Sequence, residues 1–181
     1  VSGGAMTLLA TQTASGSATL SFTSGIDSTY DEYVFKYYNI HPATDNADFE
    51  FNMTIDGTNW NVTKTTTTFY SYHMEDNSGA GLTYEAAYDL AQGTGFQYLA
   101  ADIGNGNDES ASGEFSIYSP SSTTFVKHFL HSGNRYVGSN ISANDFVAGY
   151  GNTTSAVTGI QFKMSSGNID SGVIKLYGIG G

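Results

Sequence analysis

Histidines are the first side chains of this sequence to consider for chemistry, and there are four of them. His128 and His131 lie three residues apart in a segment rich in apolar residues. On a helix this spacing would let both rings bind one metal ion, whereas in a strand it sends them to opposite faces. Because the segment has strand character, we predict no metal pair here. His41 and His73 have no acid or nucleophile close in sequence that completes a catalytic triad.

Acidic residues are the second candidates. A glycosidase needs two carboxyl groups about 5–10 Å apart across a cleft, and adjacent acids occur at Asp31-Glu32 and Asp108-Glu109. With 17 acidic residues such pairs also arise by chance, so we interpret them as surface acids. Two oxygen-rich clusters could bind Ca²⁺, but the larger does not have the spacing of an EF-hand loop. They are Asp102, Asn105, Asn107, Asp108 and Glu109, and Asp27, Asp31 and Glu32.

Aromatic residues are the third candidates, with 13 tyrosines and one tryptophan. Aromatic faces stack on sugar rings, and neighbouring Asn or Asp side chains can bond sugar hydroxyls. The alternative is that these tyrosines pack on pleated sheets with their hydroxyl groups at the rim. The candidate surface-binding residues are Trp60, Tyr70 and Tyr72, with Tyr30, Tyr33, Tyr37 and Tyr38 as further members of such a platform.

No P-loop, nucleophile elbow, dinucleotide-binding fingerprint or zinc-peptidase motif is present. The chain also has no cysteine, which excludes disulfides, thiolate metal sites and thiol nucleophiles. We therefore predict no catalytic, cofactor-binding or metal-ligating residues, no cofactor and no enzymatic activity. A glycan-degrading enzyme is a third functional hypothesis, and no acid pair is marked by a motif for it.

The net charge is strongly negative, because 6 Lys and Arg stand against 17 Asp and Glu, a formal charge of -11 at pH 7. Nucleic-acid binding needs cations that displace counterions from phosphates. Anionic membrane surfaces likewise attract basic segments and repel acidic ones. We therefore predict that neither nucleic acid nor a membrane is the partner, and that the protein faces solvent.

Eleven segments show alternating or continuous apolar character and end at Gly, Asn, Asp or Ser. In the clearest, residues 48–56, Phe49 to Ile55 alternate with polar residues, which predicts a half-buried strand. A single short helix is predicted at 83–92. The segments are 7–12, 17–22, 32–40, 48–56, 60–72, 96–103, 113–119, 124–131, 146–150, 157–164 and 172–179.

These elements predict an all-β fold, a jelly-roll-like two-sheet antiparallel sandwich of about 8–11 strands. The length of 181 residues fits one domain. Prolines are few, and no linker or long repeat divides the chain. We therefore predict a single domain over residues 1–181.

Three stretches, residues 22–33, 39–45 and 160–179, carry a resemblance that extends over nearly the whole chain, from Leu8-Leu9-Ala10 to Leu176-Tyr177-Gly178. Here the sequence resembles a family of small proteins encoded by marine tailed bacteriophages, which are virion structural or hypothetical proteins. The family offers no catalytic motif to transfer. The resemblance implies a component on the exterior of a phage particle.

Together, the resemblance and the composition predict an outer capsid decoration or cement protein that binds and stabilises the head lattice. Its partners would be other virion proteins, either the major capsid protein or tail components. It would form a homo-oligomer, with a trimer favoured. The alternative is a tail-fibre or appendage domain that binds host surface glycans, which the Tyr, Trp and Asn content favours.

Overall fold

The computed structural model describes residues 5–180, so residues 1–4 and 181 of the predicted domain lie outside the described part. None of the described helices is long and apolar enough to cross a membrane. The elements are β1 (Thr7–Ser17), β2 (Leu20–Phe22), β3 (Glu32–Pro42), β4 (Ala47–Thr54), β5 (Lys64–Met74), β6 (Ala80–Tyr84), a 3₁₀ helix (Ala86–Tyr88), β7 (Ala91–Gly93), β8 (Gln97–Ile103), β9 (Ala111–Tyr118), β10 (Lys127–Val137), β11 (Ile141–Gly151), β12 (Gly159–Met164) and β13 (Ile169–Ile179).

The strands form an all-β antiparallel protein, as predicted, but its architecture differs from a clear two-sheet sandwich. All the described strands belong to one sheet, whose main part follows the order β1-β13-β3-β9-β10-β8-β4-β12-β2 and is nearly closed, like a barrel. The two end strands of this path approach each other, since the Gln12 side chain on β1 donates to the carbonyl of Ser21 on β2 at 2.6 Å. One curved sheet therefore encloses its own core.

The sheet branches at β10. One edge of β10 pairs with β9 and, at Val137, with β8, while the other edge pairs with β11 along its whole length. From β11 the sheet continues to β5, which pairs with β6 and β7. We call β10, β11, β5, β6 and β7 the lateral extension. It has an inner face, which continues the core, and an outer face, which meets solvent.

Phenylalanine rings fill the inside of the barrel. The rings of Phe51 and Phe115 lie 4.4 Å apart between centroids, and Phe49 stacks on Phe162 at 5.5 Å. All four residues are fully buried. Large aromatic side chains remove about 150–250 Å² each from water, and this burial is the main favourable contribution to folding.

Strand β4 follows its predicted pattern only in part. Its apolar residues point into the core, except Ile55, which lies beyond the end of the strand and is exposed. Its polar face is buried as well, and the amide of the fully buried Asn52 donates to the carbonyls of Trp60 at 2.6 Å and Thr94 at 3.0 Å. The alternation predicted the orientation of the side chains but not the chain segments that cover the polar face.

All eleven predicted segments overlap strands, whereas the predicted helix at 83–92 is reduced to three residues. That region contains the end of β6, the three-residue 3₁₀ helix and β7. Tyr84 pairs with Phe69 and Ala91 with Thr65, so both ends of the segment are held by β5. Pairing with a distant strand overrides the local helical preference.

Strands β9 and β10 approach closely at a pair of glycines. Gly113 lies opposite Gly133, and the hydroxyl of Tyr37 enters the space beside them, 2.8 Å from Nε2 of His131. A Cβ at Gly113 would lie 2.6 Å from the Cα of Gly133 and 2.6 Å from the carbonyl oxygen of Ser132. The two glycines therefore provide the room that a buried tyrosine requires.

We expect Gly113→Ala to lower the free energy of unfolding by about 2–3 kcal/mol, because the added methyl group overlaps backbone atoms that cannot move independently. Gly95→Ala is the matched control, since a Cβ there meets nothing within 4 Å. Its effect should stay within about 0.5 kcal/mol. Urea denaturation of the three proteins checks this, and equal midpoints for Gly113→Ala and wild type would contradict the close approach.

Candidate functional site

A cavity of about 500 Å³ lies on the inner face of the lateral extension. Its size is in the range of small-molecule sites. Apolar side chains form part of the wall, and hydroxyl and charged groups form the rest. Its main residues are Tyr70 and Tyr72 of β5, Thr83 of β6, Asp102 of β8, Arg135 of β10 and Ile141 of β11.

The strand register explains why these side chains meet. Tyr72 pairs with Ala143, and Ala143 pairs with Arg135 on its other side. Directly paired residues of neighbouring strands project to the same face of a sheet. Tyr70 lies two residues from Tyr72 and therefore shares that face, with 6.2 Å between the ring centroids. Two of the three predicted surface-binding aromatics are thus adjacent in one cavity.

Arg135 is the only arginine of the chain. Its side chain is 4% exposed, its Nε donates to Oδ2 of Asp145 at 2.8 Å, and its guanidinium carbon lies 5.5 Å from the centroid of the Tyr70 ring. Within residues 5–180 its two terminal nitrogens make no hydrogen bond, and neither is among the buried atoms without a partner. These N–H groups are therefore free to bind a ligand in the cavity.

Asp145 lies behind Arg135 and does not line the cavity. Burial raises the pKa of Asp145 to about 6, Arg135 opposes this increase, and the charge of Asp102 adds to it. Asp145 therefore fixes and neutralises the guanidinium. Asp102 is exposed at the cavity with a positive φ of 49°, and its backbone N–H donates to Oδ1 of Asp48 at 2.8 Å. Arg135 therefore provides N–H donors to the cavity, and Asp102 provides a carboxylate acceptor.

The remaining residues of the predicted platform lie elsewhere. Trp60 is half-buried against Gly159 of β12 and does not line the cavity. Tyr33 and Tyr37 belong to the hydrophobic core. Tyr38 is exposed on β3, where the ammonium of Lys175 lies 5.5 Å from its ring centroid. The structure therefore divides the predicted platform and leaves Tyr70 and Tyr72 as its only pair in the cavity.

The two histidines of β10 point to opposite faces, as predicted. His128 is exposed beside Tyr150, while His131 is buried and stacks on Tyr37. Burial lowers the pKa of His131 to about 3, so this ring is uncharged at neutral pH. The Nε2 of His41 lies 3.0 Å from the carbonyl oxygen of Gly106 and its Nδ1 lies 3.7 Å from a carboxylate oxygen of Asp170.

Two acidic residues of the predicted calcium clusters, Asp27 and Glu109, make hydrogen bonds in their own loops. The Asp27 side chain accepts from the backbone N–H of Thr29 at 2.8 Å, and the Glu109 side chain accepts from the backbone N–H of Gly106. Among residues 5–180, no group of three or more His, Asp or Glu side chains is placed to hold a metal ion. These contacts shape turns, as expected of short acidic side chains near glycines.

All six cationic side chains of the chain are engaged within the molecule. Lys64 and Lys127 are fully buried without a carboxylate, and their ammonium groups donate to amide and carbonyl oxygens. The remaining contacts are Lys36 with Glu114, Arg135 with Asp145, Lys163 with Glu50 and Lys175 with the Tyr38 ring. Most of the acidic side chains have no cationic partner, so the protein presents a negative surface.

The outer face of the lateral extension carries an apolar patch, which we define as Phe69, Leu82, Tyr84, Leu130 and Phe146. Leu82 is 73% exposed, Tyr84 61%, Leu130 52% and Phe69 41%. Tyr84 pairs with Phe69 and Phe69 with Phe146, and the rings of the last two stack at 4.9 Å. A groove of about 350 Å³ runs beside them. Contiguous exposed apolar side chains of this kind mark contact surfaces.

Sequence reasoning missed both the patch and the Arg135–Asp145 pair. A signal for the pair existed, because Arg135 follows Phe129 and His131 at even spacing and so shares their inner face. The predicted strand ended at His131, since Ser132, Gly133 and Asn134 are typical of a turn. The patch has no such signal, because its residues come from four strands.

Comparisons with protein-family models, with curated proteins and with solved structures found no match to this chain.

We expect Asp145→Ala to lower the free energy of unfolding by about 3–5 kcal/mol, because it leaves the buried Arg135 charge without a partner. Replacing both residues, as Arg135→Met with Asp145→Leu, should recover most of this loss. The control is Glu114→Ala, which breaks a more exposed pair and should cost less than about 1 kcal/mol. Urea denaturation measures all three, and a double variant no more stable than Asp145→Ala would refute the explanation.

Burial lowers the pKa of Lys64 to about 7, so above that pH the folded protein loses a proton that the unfolded chain still holds. Stability then rises with pH, by up to about 1.4 kcal/mol per pH unit for this one group. We expect wild type to gain stability relative to Lys64→Met between pH 7 and 9. Lys175→Met, at a less buried lysine, is the control: it keeps Lys64, so its stability should rise with pH in parallel with that of wild type. Parallel curves for wild type and Lys64→Met in urea denaturation would exclude the effect.

Proposed function

We propose that this protein is a structural component on the exterior of a bacteriophage particle, an outer capsid decoration protein that binds and stabilises the head lattice. The observation that carries the proposal is the apolar patch, because it gives the protein a surface suited to contact with another protein. The resemblance to virion proteins of marine tailed phages is the reason for proposing a phage particle as its location. The proposed partner is the major capsid protein.

The patch has the character of a protein contact surface. Aromatic residues are enriched at such interfaces, and their burial in a well-packed centre accounts for much of the binding energy. Phe69, Tyr84 and Phe146 provide rigid rings, and Leu130 borders the groove beside them. The lateral extension holds these side chains on paired strands, so little conformational entropy is lost on binding.

The charge distribution limits where another acidic protein, such as a second copy, can bind. With a net charge of -11 and every cation engaged internally, two copies of this protein repel each other except where acids are absent. The patch side chains themselves are uncharged, and the acids at their border, Asp89 beside Tyr84 and Glu114 in the groove, favour a partner that is not itself acidic there. Symmetric oligomers are common in such assemblies, and a trimer at the capsid surface is the proposed state. The proposal rests on the patch rather than on a jelly-roll architecture.

The binding test uses phage particles from which the protein has been removed. Wild-type protein should rebind, whereas Leu130→Asp should bind at least about tenfold more weakly, because a carboxylate would be desolvated in the interface. Leu8→Asp is the matched control, since Leu8 on β1 is 52% exposed like Leu130 but lies outside the patch. Sedimentation of particles with labelled protein measures the binding.

Two outcomes would overturn the decoration function. One is equal rebinding of Leu130→Asp and wild type, which would exclude the patch as the contact surface. The other is unchanged resistance of the stripped particles to heat and osmotic shock, which would exclude a stabilising role. Imaging of the labelled particles shows where the protein binds. A lattice protein should be found over the head, whereas an appendage protein should be found only on the tail.

A second candidate function is a tail-fibre or appendage domain that binds host surface glycans. The cavity between Tyr70, Tyr72 and Arg135 favours it, because rings and polar groups converge there. It places recognition on the inner face of the lateral extension, whereas the decoration function uses the outer face.

A further inference from the structure

We propose that the cavity lined by Tyr72, Asp102 and Arg135 binds an uncharged sugar unit, and that it discriminates against acidic sugars. This inference rests on the second candidate function and gives it a site and a substrate class. The geometry that carries it is a buried cation whose free N–H groups reach a space also lined by a carboxylate and two aromatic rings.

The polar groups of the cavity select for hydroxyls. Arg135 offers donors only, and the Asp102 carboxylate offers acceptors only. A ligand that satisfies both must accept from Arg135 and donate to Asp102. Neighbouring hydroxyl groups do both at once, and the side chain of Thr83 can extend the same pattern. A purely anionic or purely cationic ligand would satisfy only one side.

The aromatic side chains select for a ring with an apolar face. Tyr70 lies against Arg135, so its ring holds the guanidinium, while Tyr72 is the neighbouring ring on the cavity wall. Both are half-buried and supported by paired strands, so they are positioned before a ligand arrives. Preorganised rings reduce the entropy cost of binding. The C–H face of a pyranose matches such a surface.

Charge decides between neutral and acidic sugars. The single positive charge of Arg135 is already paired with Asp145, and Asp102 adds a further negative charge. The cavity therefore carries a net negative charge in a protein whose overall charge is also negative. A carboxylate on the ligand would be repelled, since like charges close together cost free energy in a partly desolvated site.

The test titrates the folded protein with uncharged hexose oligosaccharides and with the corresponding uronic-acid oligosaccharides. Binding is measured by isothermal calorimetry, and ligand contact by saturation-transfer NMR. Wild type should bind at least one neutral sugar and bind its uronic counterpart at least about fivefold more weakly. Tyr72→Ala and Asp102→Asn should each weaken neutral-sugar binding about tenfold, close to 1.4 kcal/mol.

The variants are chosen to fold. Asn tolerates the positive φ at position 102, and Asp102 is exposed, so Asp102→Asn removes a charge without strain. Tyr38→Ala and Asp108→Asn are matched controls, because each removes an exposed side chain of the same type outside the cavity. Their binding should equal that of wild type.

The outcomes separate the site from the function. Sugar binding that is unchanged in Tyr72→Ala and Asp102→Asn overturns the site but leaves a glycan-binding domain. Tighter binding of the uronic oligosaccharides overturns the discrimination by charge. If no sugar binds wild type, both the site and the glycan-binding function fall.

Discussion

The main sheet of this protein encloses the core, and other segments of the chain cover part of its outside. Polar side chains are therefore buried in the interior. Alternating strands place apolar residues on one face and polar residues on the other, and here the polar face of β4 is covered as well. Burying a polar group costs free energy unless it finds a hydrogen-bond partner. The fold therefore depends on interior hydrogen bonding, such as the contacts of Asn52 with Lys64, Trp60 and Thr94.

This constraint determines where the positive charges of the protein lie. Lys64 and Lys127 donate to oxygens that the closing sheet would otherwise leave without partners, and Arg135 pairs with Asp145. Few cations remain for the surface, so the acidity visible in the sequence becomes still more pronounced on the exterior. A partner of this protein meets acidic or uncharged groups, and the apolar patch is an uncharged part of that surface. Interior hydrogen bonding and surface recognition are therefore linked.

The sequence was sufficient for most of the strands, though not for β6 and β7, and for the orientation of side chains within them, because both depend on local alternation. It failed where distant segments decide the outcome. The predicted strand ended at residue 131, yet residues 132–134 continue β10, because they pair with β9 on one side and with β11 on the other. Residues 83–92 read as a helix, yet β5 holds both ends of that segment as strands. The number and spacing of the predicted strands likewise indicated two sheets, whereas closure of one sheet depends on how β1 and β2 meet.

The same distinction applies to the site. Tyr70 and Tyr72 were predicted as binding residues from their type, but register across β5, β11 and β10 is what places Arg135 beside them. A buried ion pair adds little net stability over an apolar pair of similar volume. Stability therefore does not account for a guanidinium that bonds Asp145 through Nε alone and leaves its terminal nitrogens free beside a cavity. The proposed recognition of a sugar in that cavity would account for it, since the pair would hold the donors in place while neutralising their charge.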